Sequence, residues 1–166
     1  MFNALSIYIP FNEKATYWPQ LFLGITFNYG LILGWTSITE EISLVPLLLY
    51  FGAIFWTLGY DTIYGFQDIK DDEIIGLKST SIKFKKVPNK FLIICYSIFL
   101  INLFLIGYIM KLNEIFVLMF LISVSHLYYF QINHLDIKKP SNCLKIFKSN
   151  NLLGLIIFVG LFISKL

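Results

Sequence analysis

Five long apolar runs, parted by short stretches that hold most of the charge, set the pattern of this chain. A bilayer core of roughly 30 Å needs about 20 residues at 1.5 Å each, with roughly 17 to 25 tolerated. Pro19 to Ile38 satisfies this, as does Leu44 to Tyr60, which can be extended to Tyr64. Phe91 to Met110 is the cleanest run, with Asn102 its only strongly polar side chain. Ile115 to Phe130 is shorter, carries Ser123, Ser125 and His126, and closes on Tyr128, Tyr129 and Phe130, the aromatic belt expected at an interface. Leu152 to Ile163 is shorter still, so it is predicted to tilt little, to thin the bilayer or to begin near Ser149. Met1 to Trp18, with Pro10, Asn12, Glu13 and Lys14, reads as a loop and lacks the basic and apolar regions of a signal peptide. The expected fold is all-α, a transmembrane bundle of about five helices.

Composition agrees. Of 166 residues, 57% are hydrophobic and 14% charged, against roughly 25% charged in soluble domains. The mean hydropathy is +0.73. No linker, repeat or low-complexity tract divides residues 1–166, so a single membrane domain is expected. The net charge of +3 comes from clustered lysines and gives no reason to expect nucleic acid as a partner. Cys95 and Cys143 are too far apart for a CxxC site and read as inert thiols.

The lysines orient the chain. With five spans, Lys14, Lys70, Lys78, Lys83, Lys85, Lys86, Lys90, Lys138, Lys139, Lys145 and Lys148 fall on one side, and Lys111 and Lys165 on the other. Such a bias assigns the lysine-rich side to the cytoplasm or its topological equivalent in an organelle, and leaves Glu40 and Glu41 facing out.

Candidate chemistry gathers at the lysine-rich end of the second span, from Tyr60 to Glu73. If that helix continues, Asp68 and Asp72 stand one turn apart and Asp61 lies seven residues before Asp68, so the three carboxylates share a face. Mutually repelling carboxylates near an apolar medium are relieved by a hard divalent cation that completes its shell with water and phosphate oxygens. A Mg²⁺ diphosphate site meets that need. The plainer alternative is a solvated helix end balanced by Lys70 and Lys78. Asp61 argues against it, because an acid in the last turn of an apolar span is a functional-site candidate by default. His126 and His134 lie eight residues apart with no acid or thiol spaced to complete a tetrahedral metal site.

Trp56 to Tyr64, then Gln67-Asp68 and Asp71-Asp72, closing on Ile75-Gly76-Leu77-Lys78-Ser79-Thr80, resembles the second aspartate-rich motif of the UbiA superfamily of intramembrane prenyltransferases. Thr16-Tyr17-Trp18-Pro19-Gln20, Leu23-Gly24 and Thr26-Phe27-Asn28 are similar to the segment leading into that family's fifth helix. Leu135-Asp136-Ile137, Pro140, Cys143-Leu144, Phe147 to Asn150 and Gly154 resemble its last loop and ninth helix. The likeness runs through the whole chain in order and is nearest to the 4-hydroxybenzoate polyprenyltransferase branch.

The resemblance implies transfer of a polyprenyl group from its diphosphate to the ring of 4-hydroxybenzoate, in ubiquinone biosynthesis, in a bacterial or mitochondrial inner membrane. It implies Mg²⁺ held by Asp68 and Asp72, Asp61 as a further acid, and Lys78 and Lys14 against the diphosphate. Asn28 is a candidate for the substrate cavity or a bridge between two helices. The chain also departs from the family pattern. Only the C-terminal five of nine helices are matched, and the first, NDxxD-type motif is expected to be absent. Where a Tyr and a Lys-Arg pair are usual, Ile9, Glu13 and Lys14 stand, and Glu13 reverses the local charge. These departures favour a polypeptide incomplete on its own, partnered by a separately encoded N-terminal half, or a non-catalytic membrane remnant. A small transporter subunit fits less well, since its acids are wanted near the midplane.

Overall fold

The structure, a computed structural model, describes residues 16–165. In chain order it comprises α1 (Pro19–Thr39), α2 (Leu44–Gly65), the short α3 (Ile69–Ile75) and α4 (Thr80–Phe84), and α5 (Pro88–Met110). There follow α6 (Glu114–Val124), which runs on as a π-helical segment (Ser125–Ile132), and α7 (Pro140–Ile163). There is no strand among the described residues. Five helices, α6 being counted with its π-helical continuation, are long and apolar enough to cross a membrane. The chain is an integral membrane protein with an all-α bundle.

Local chemistry places the helix ends. Proline opens α1, α5 and α7, where the missing amide donor costs nothing. The Asn113 side chain caps α6 by accepting from the Ile115 amide at 3.0 Å. α1 and α5 stop on left-handed residues, Glu40 and Lys111, whose amides return to carbonyls of the last turn.

The spans lie close to expectation except the last, which begins at Pro140 rather than near Ser149 or Leu152. Lys145, Lys148 and Asn150 lower the apolar average there, yet the segment has two faces. Cys143, Ile146, Asn150 and Leu153 are buried at helical spacing, while Lys145 and Lys148 remain exposed on the outside. The second span also differs from expectation: its helix does not continue to Asp72. It ends at Gly65, and α3 starts afresh at Ile69.

α2 is the hub. It packs on α1, α5 and α7, and α5, α6 with its π segment and α7 close a ring with it. Leu58, Tyr96, Phe99, Leu103, Leu127, Ile146 and Leu153 fill the ring's interior. α1 lies outside the ring and packs chiefly on α2. Their approach depends on Gly24, where a Cβ would come within 2.9 Å of the Ile54 carbonyl oxygen. One end of the bundle gathers the starts of α1, α5 and α7, the end of α2, and α3 and α4; this is the lysine-rich end.

Candidate functional site

The last turn of α2 is clamped by the segment that follows α3. Thr62 and Thr80 share a hydroxyl hydrogen bond of 2.6 Å, and the Ser81 hydroxyl donates to the Thr62 carbonyl at 2.9 Å. The Thr80 amide donates to the Gln20 side-chain oxygen at 3.1 Å, which ties the same segment to the first turn of α1. Gly65 faces Ser81 so closely that a Cβ there would collide with the hydroxyl. These contacts draw the backbone across at Gly65 and reinforce the stop of α2, although nothing in Phe66, Gln67 or Asp68 forbids a helix. Lys78 sits immediately before the clamped, buried Ser79-Thr80-Ser81, and its ammonium lies 5.8 Å from the Tyr17 ring centroid.

Asp68 is the N-cap residue of α3. Its backbone carbonyl accepts from the Asp71 and Asp72 amides at 3.0 Å each, and its carboxylate makes no capping bond. Gly76, at φ 77°, ends the helix in the left-handed region that favours glycine, and its amide returns to the Asp72 and Glu73 carbonyls. Asp68, Asp71 and Asp72 therefore crowd one short helix start. Partial burial, then the charges of Asp68 and Asp71, hold the Asp72 carboxyl above its ordinary value.

Asp61 stands apart. It is partly buried in the last turn of α2 beside Tyr60, and the break at Phe66–Asp68 separates it from the other two acids. The expected stripe of three on one continuous helix is a pair with its neighbour Asp71, plus one acid on another helix. Among the described residues no three His, Cys, Asp or Glu side chains converge as a metal site. The exposure of Asp68, Asp71 and Lys70 matches the solvated helix end of the plainer alternative, while the direct ion pairs among the described residues are Lys85–Glu73 and Lys139–Asp136 and include none of the three aspartates.

Tyr60 and Tyr64 both lean on Phe147 of α7, with ring centroids 5.8 and 4.7 Å away, and Tyr60 meets Trp56 edge-on at 5.8 Å. Trp56 stacks on Phe99 at 5.1 Å and donates its indole N–H to the Asn150 oxygen at 2.9 Å. That oxygen also accepts from Gln131 at 2.9 Å, and Gln131 accepts from the Tyr96 hydroxyl at 2.6 Å. The network joins α2, α5, the π segment and α7; its one mark in the sequence is polar Gln131 between Phe130 and Ile132, since Asn150 stands in the polar run Lys148-Ser149-Asn150-Asn151.

Asn28 occupies the α1–α2 seam, where its amide donates to Gly24 and Ala53 carbonyls and, at 2.8 Å, to the Thr57 hydroxyl. Its donors are thus engaged in a helix bridge rather than presented to a substrate. His126 bonds Ser149 of α7 at 3.1 Å. Lys14, with Ile9 and Glu13, lies outside the described residues.

Comparison with known proteins identifies the family, since the UbiA prenyltransferase family matches residues 3–162. The chain belongs to that family. It is 42% identical over 158 residues to the bovine (Bos taurus) mitochondrial 4-hydroxybenzoate polyprenyltransferase, covering 95% of this chain and 42% of the relative. The human (Homo sapiens) mitochondrial 4-hydroxybenzoate polyprenyltransferase is 40% identical over 163 residues, which cover 98% of this chain and 44% of the relative. The 4-hydroxybenzoate octaprenyltransferase of Pasteurella multocida is 35% identical over 167 aligned residues, with 98% of this chain and 57% of the relative covered. The chain thus spans about half the length of the curated relatives it matches. No solved structure matches it. In this UbiA family chain, the acids at the start of α3 have the chemistry for a hard cation: carboxylate oxygens that are not buried and that have no ion-pair partner among the described residues. Mg²⁺ commonly binds through one or two carboxylates and completes its shell with water and phosphate.

Proposed function

We infer that these residues form the diphosphate-binding half of a polyprenyltransferase that acts on 4-hydroxybenzoate in a bacterial or mitochondrial inner membrane. In the reaction the prenyl carbon–oxygen bond breaks and diphosphate leaves. A carbon–carbon bond forms beside the ring hydroxyl, and the ring gives up a proton. The observation that carries the reading is the acidic group of Asp68, Asp71 and Asp72, which has no ion-pair partner among the described residues and lies within the family match.

Asp68 and Asp72 would hold Mg²⁺, and the metal when bound supplies charge neutralisation for the departing diphosphate. Lys78, on its clamped segment, offers a point charge to the same diphosphate. Asp61, one turn inside α2, is the acid nearest the apolar interior, where an acceptor ring must meet a prenyl chain. Tyr60, Tyr64 and Phe147 present aromatic surface at that level.

A clamp on diphosphate needs donors from two sides, and these residues provide one. The complementary acids are supplied from outside residues 1–166, by a longer polypeptide or by a separately encoded half. The test is reconstitution in liposomes with Mg²⁺, a polyprenyl diphosphate and 4-hydroxybenzoate, with and without a half carrying the family's first acidic motif. Product is expected from the pair and not from the chain alone. Product from the chain alone would overturn the incompleteness, and no product from the pair would support a non-catalytic remnant.

A further inference from the structure

Two clefts open at the lysine-rich end, on either side of the loop between the π segment and α7. The first, about 480 Å³, separates α3 from that loop and is lined by Phe66, Ile69, Lys70, Lys85 and Lys138 among others. The second, about 430 Å³, lies against the start of α5 and includes Lys86, Lys90 and Leu135. Ile137 and Lys138 line both and form the ridge between them.

The combined linings hold five lysines against two carboxylates, Glu73 and Asp136. Both carboxylates are already engaged, Glu73 with Lys85 and Asp136 with Lys139. Lys70, Lys86, Lys90 and Lys138 therefore leave a concentrated positive field. The clefts are separate from the acidic site. Successive residues of a helix are turned by about 100°, so Asp68, Asp71 and Asp72 occupy one arc of α3 and Ile69, Lys70 and Glu73 the opposite arc. The first cleft is lined by the second set and by none of the first.

Depth and polarity narrow the ligand. The second cleft reaches Pro88, three residues ahead of the apolar run that begins at Phe91, so it sits where apolar helix gives way to wet loop, and the first reaches Pro140 at the polar start of α7. Neither helix start has a side-chain cap, so their first-turn amides add to the positive potential. A free anion would use the lysines and gain nothing from the partly exposed Ile69, Ile137 and Leu135. A molecule with an anionic head and apolar chains uses both.

We propose that this paired cleft seats the phosphate of an anionic phospholipid from the leaflet on the lysine-rich side. The proposal stands independently of the catalytic reading, because its measurement is lipid occupancy. The purified protein in a neutral detergent is titrated by native mass spectrometry with phosphatidylglycerol, with phosphatidylcholine of the same acyl chains, and with inorganic phosphate. Phosphatidylglycerol is expected to bind more tightly than phosphatidylcholine. A lysine near such a surface contributes roughly fivefold, so the Lys70→Gln, Lys90→Gln, Lys138→Gln triple variant should lose at least ~10-fold in phosphatidylglycerol affinity with unchanged helicity. Lys138→Gln alone, which removes the lysine shared by both clefts, should lose roughly fivefold and serves if the triple variant does not fold. Lys111→Gln with Lys165→Gln, on the opposite side, should bind as the parent does, and Asp68→Asn with Asp72→Asn, which removes negative charge from the helix that carries Lys70, should bind at least as tightly as the parent. Equal affinity for the two lipids, or full retention by the lysine variants, would overturn the proposal. So would displacement of the lipid by an equal concentration of inorganic phosphate, which would mark a free-anion site.

Discussion

Asn28 shows what a polar side chain does between two apolar helices: it holds Gly24, Ala53 and Thr57 together across the α1–α2 seam. Interhelical hydrogen bonds in membranes contribute about 0.6 and up to about 1.7 kcal/mol. Asn28→Leu should therefore lower stability by about that range, measured as thermal unfolding in detergent. At Asp72 the same scale of change acts on chemistry. Asp72→Asn in the assembled enzyme removes a charge-matched ligand and is expected to weaken Mg²⁺-dependent diphosphate binding and to lower turnover by roughly 10²-fold or more; unchanged turnover would reject the role. Asp136 gives a pH signature. Its carboxylate accepts from the Lys138 amide at 3.0 Å, and that bond, with the Lys139 ammonium, holds its carboxyl below the ordinary value. A depressed folded value means that the unfolded chain takes the proton first. The contribution is complete above the unfolded value and is lost as pH falls through the folded one. Hydrogen exchange at the Lys138 amide should accordingly accelerate, relative to its intrinsic rate, only in that acidic window.

At the scale of elements, the spans are legible because burial in lipid demands unbroken apolar length, and α1, α2, α5 and α6 follow from that demand alone. Two features are not. The stop at Gly65 is reinforced from a distance by Ser81 and Thr80, and its local marks, Gly65 and the N-cap residue Asp68, are too weak to fix it by themselves. The π segment Ser125–Ile132 has no compositional signature either. It presents Gln131 to Asn150 and Tyr96, with Trp56 on the same acceptor. π-helical insertions are frequent at functional sites. Asn150→Leu leaves the indole N–H of Trp56 and the amide of Gln131 without their acceptor, at about 1–3 kcal/mol for each buried donor. The expected outcome is a fall in unfolding temperature larger than for Asn28→Leu, together with altered Trp fluorescence.

Across the whole molecule, the lysine bias and the alternation of spans anticipated which loops share a side, and the acids, Lys78 and both clefts lie at that end. What periodicity does not encode is which helices are neighbours. The ring of α2, α5, α6 and α7 depends on complementary shapes such as Gly59 against the Tyr96 ring, a pairing between residues 37 positions apart. α1 stands outside that ring, held along its length by one neighbour and, at its first turn, by the bond from Thr80 to Gln20. The consequence is mechanical. Tension applied at the start of α1 in a single-molecule pulling experiment should reach the Lys78 segment through Gln20 before it reaches the ring, and α1 should peel away at a lower force than any helix within the ring. Gln20→Ala should uncouple the two events, so that α1 leaves without disturbing the segment that carries Lys78.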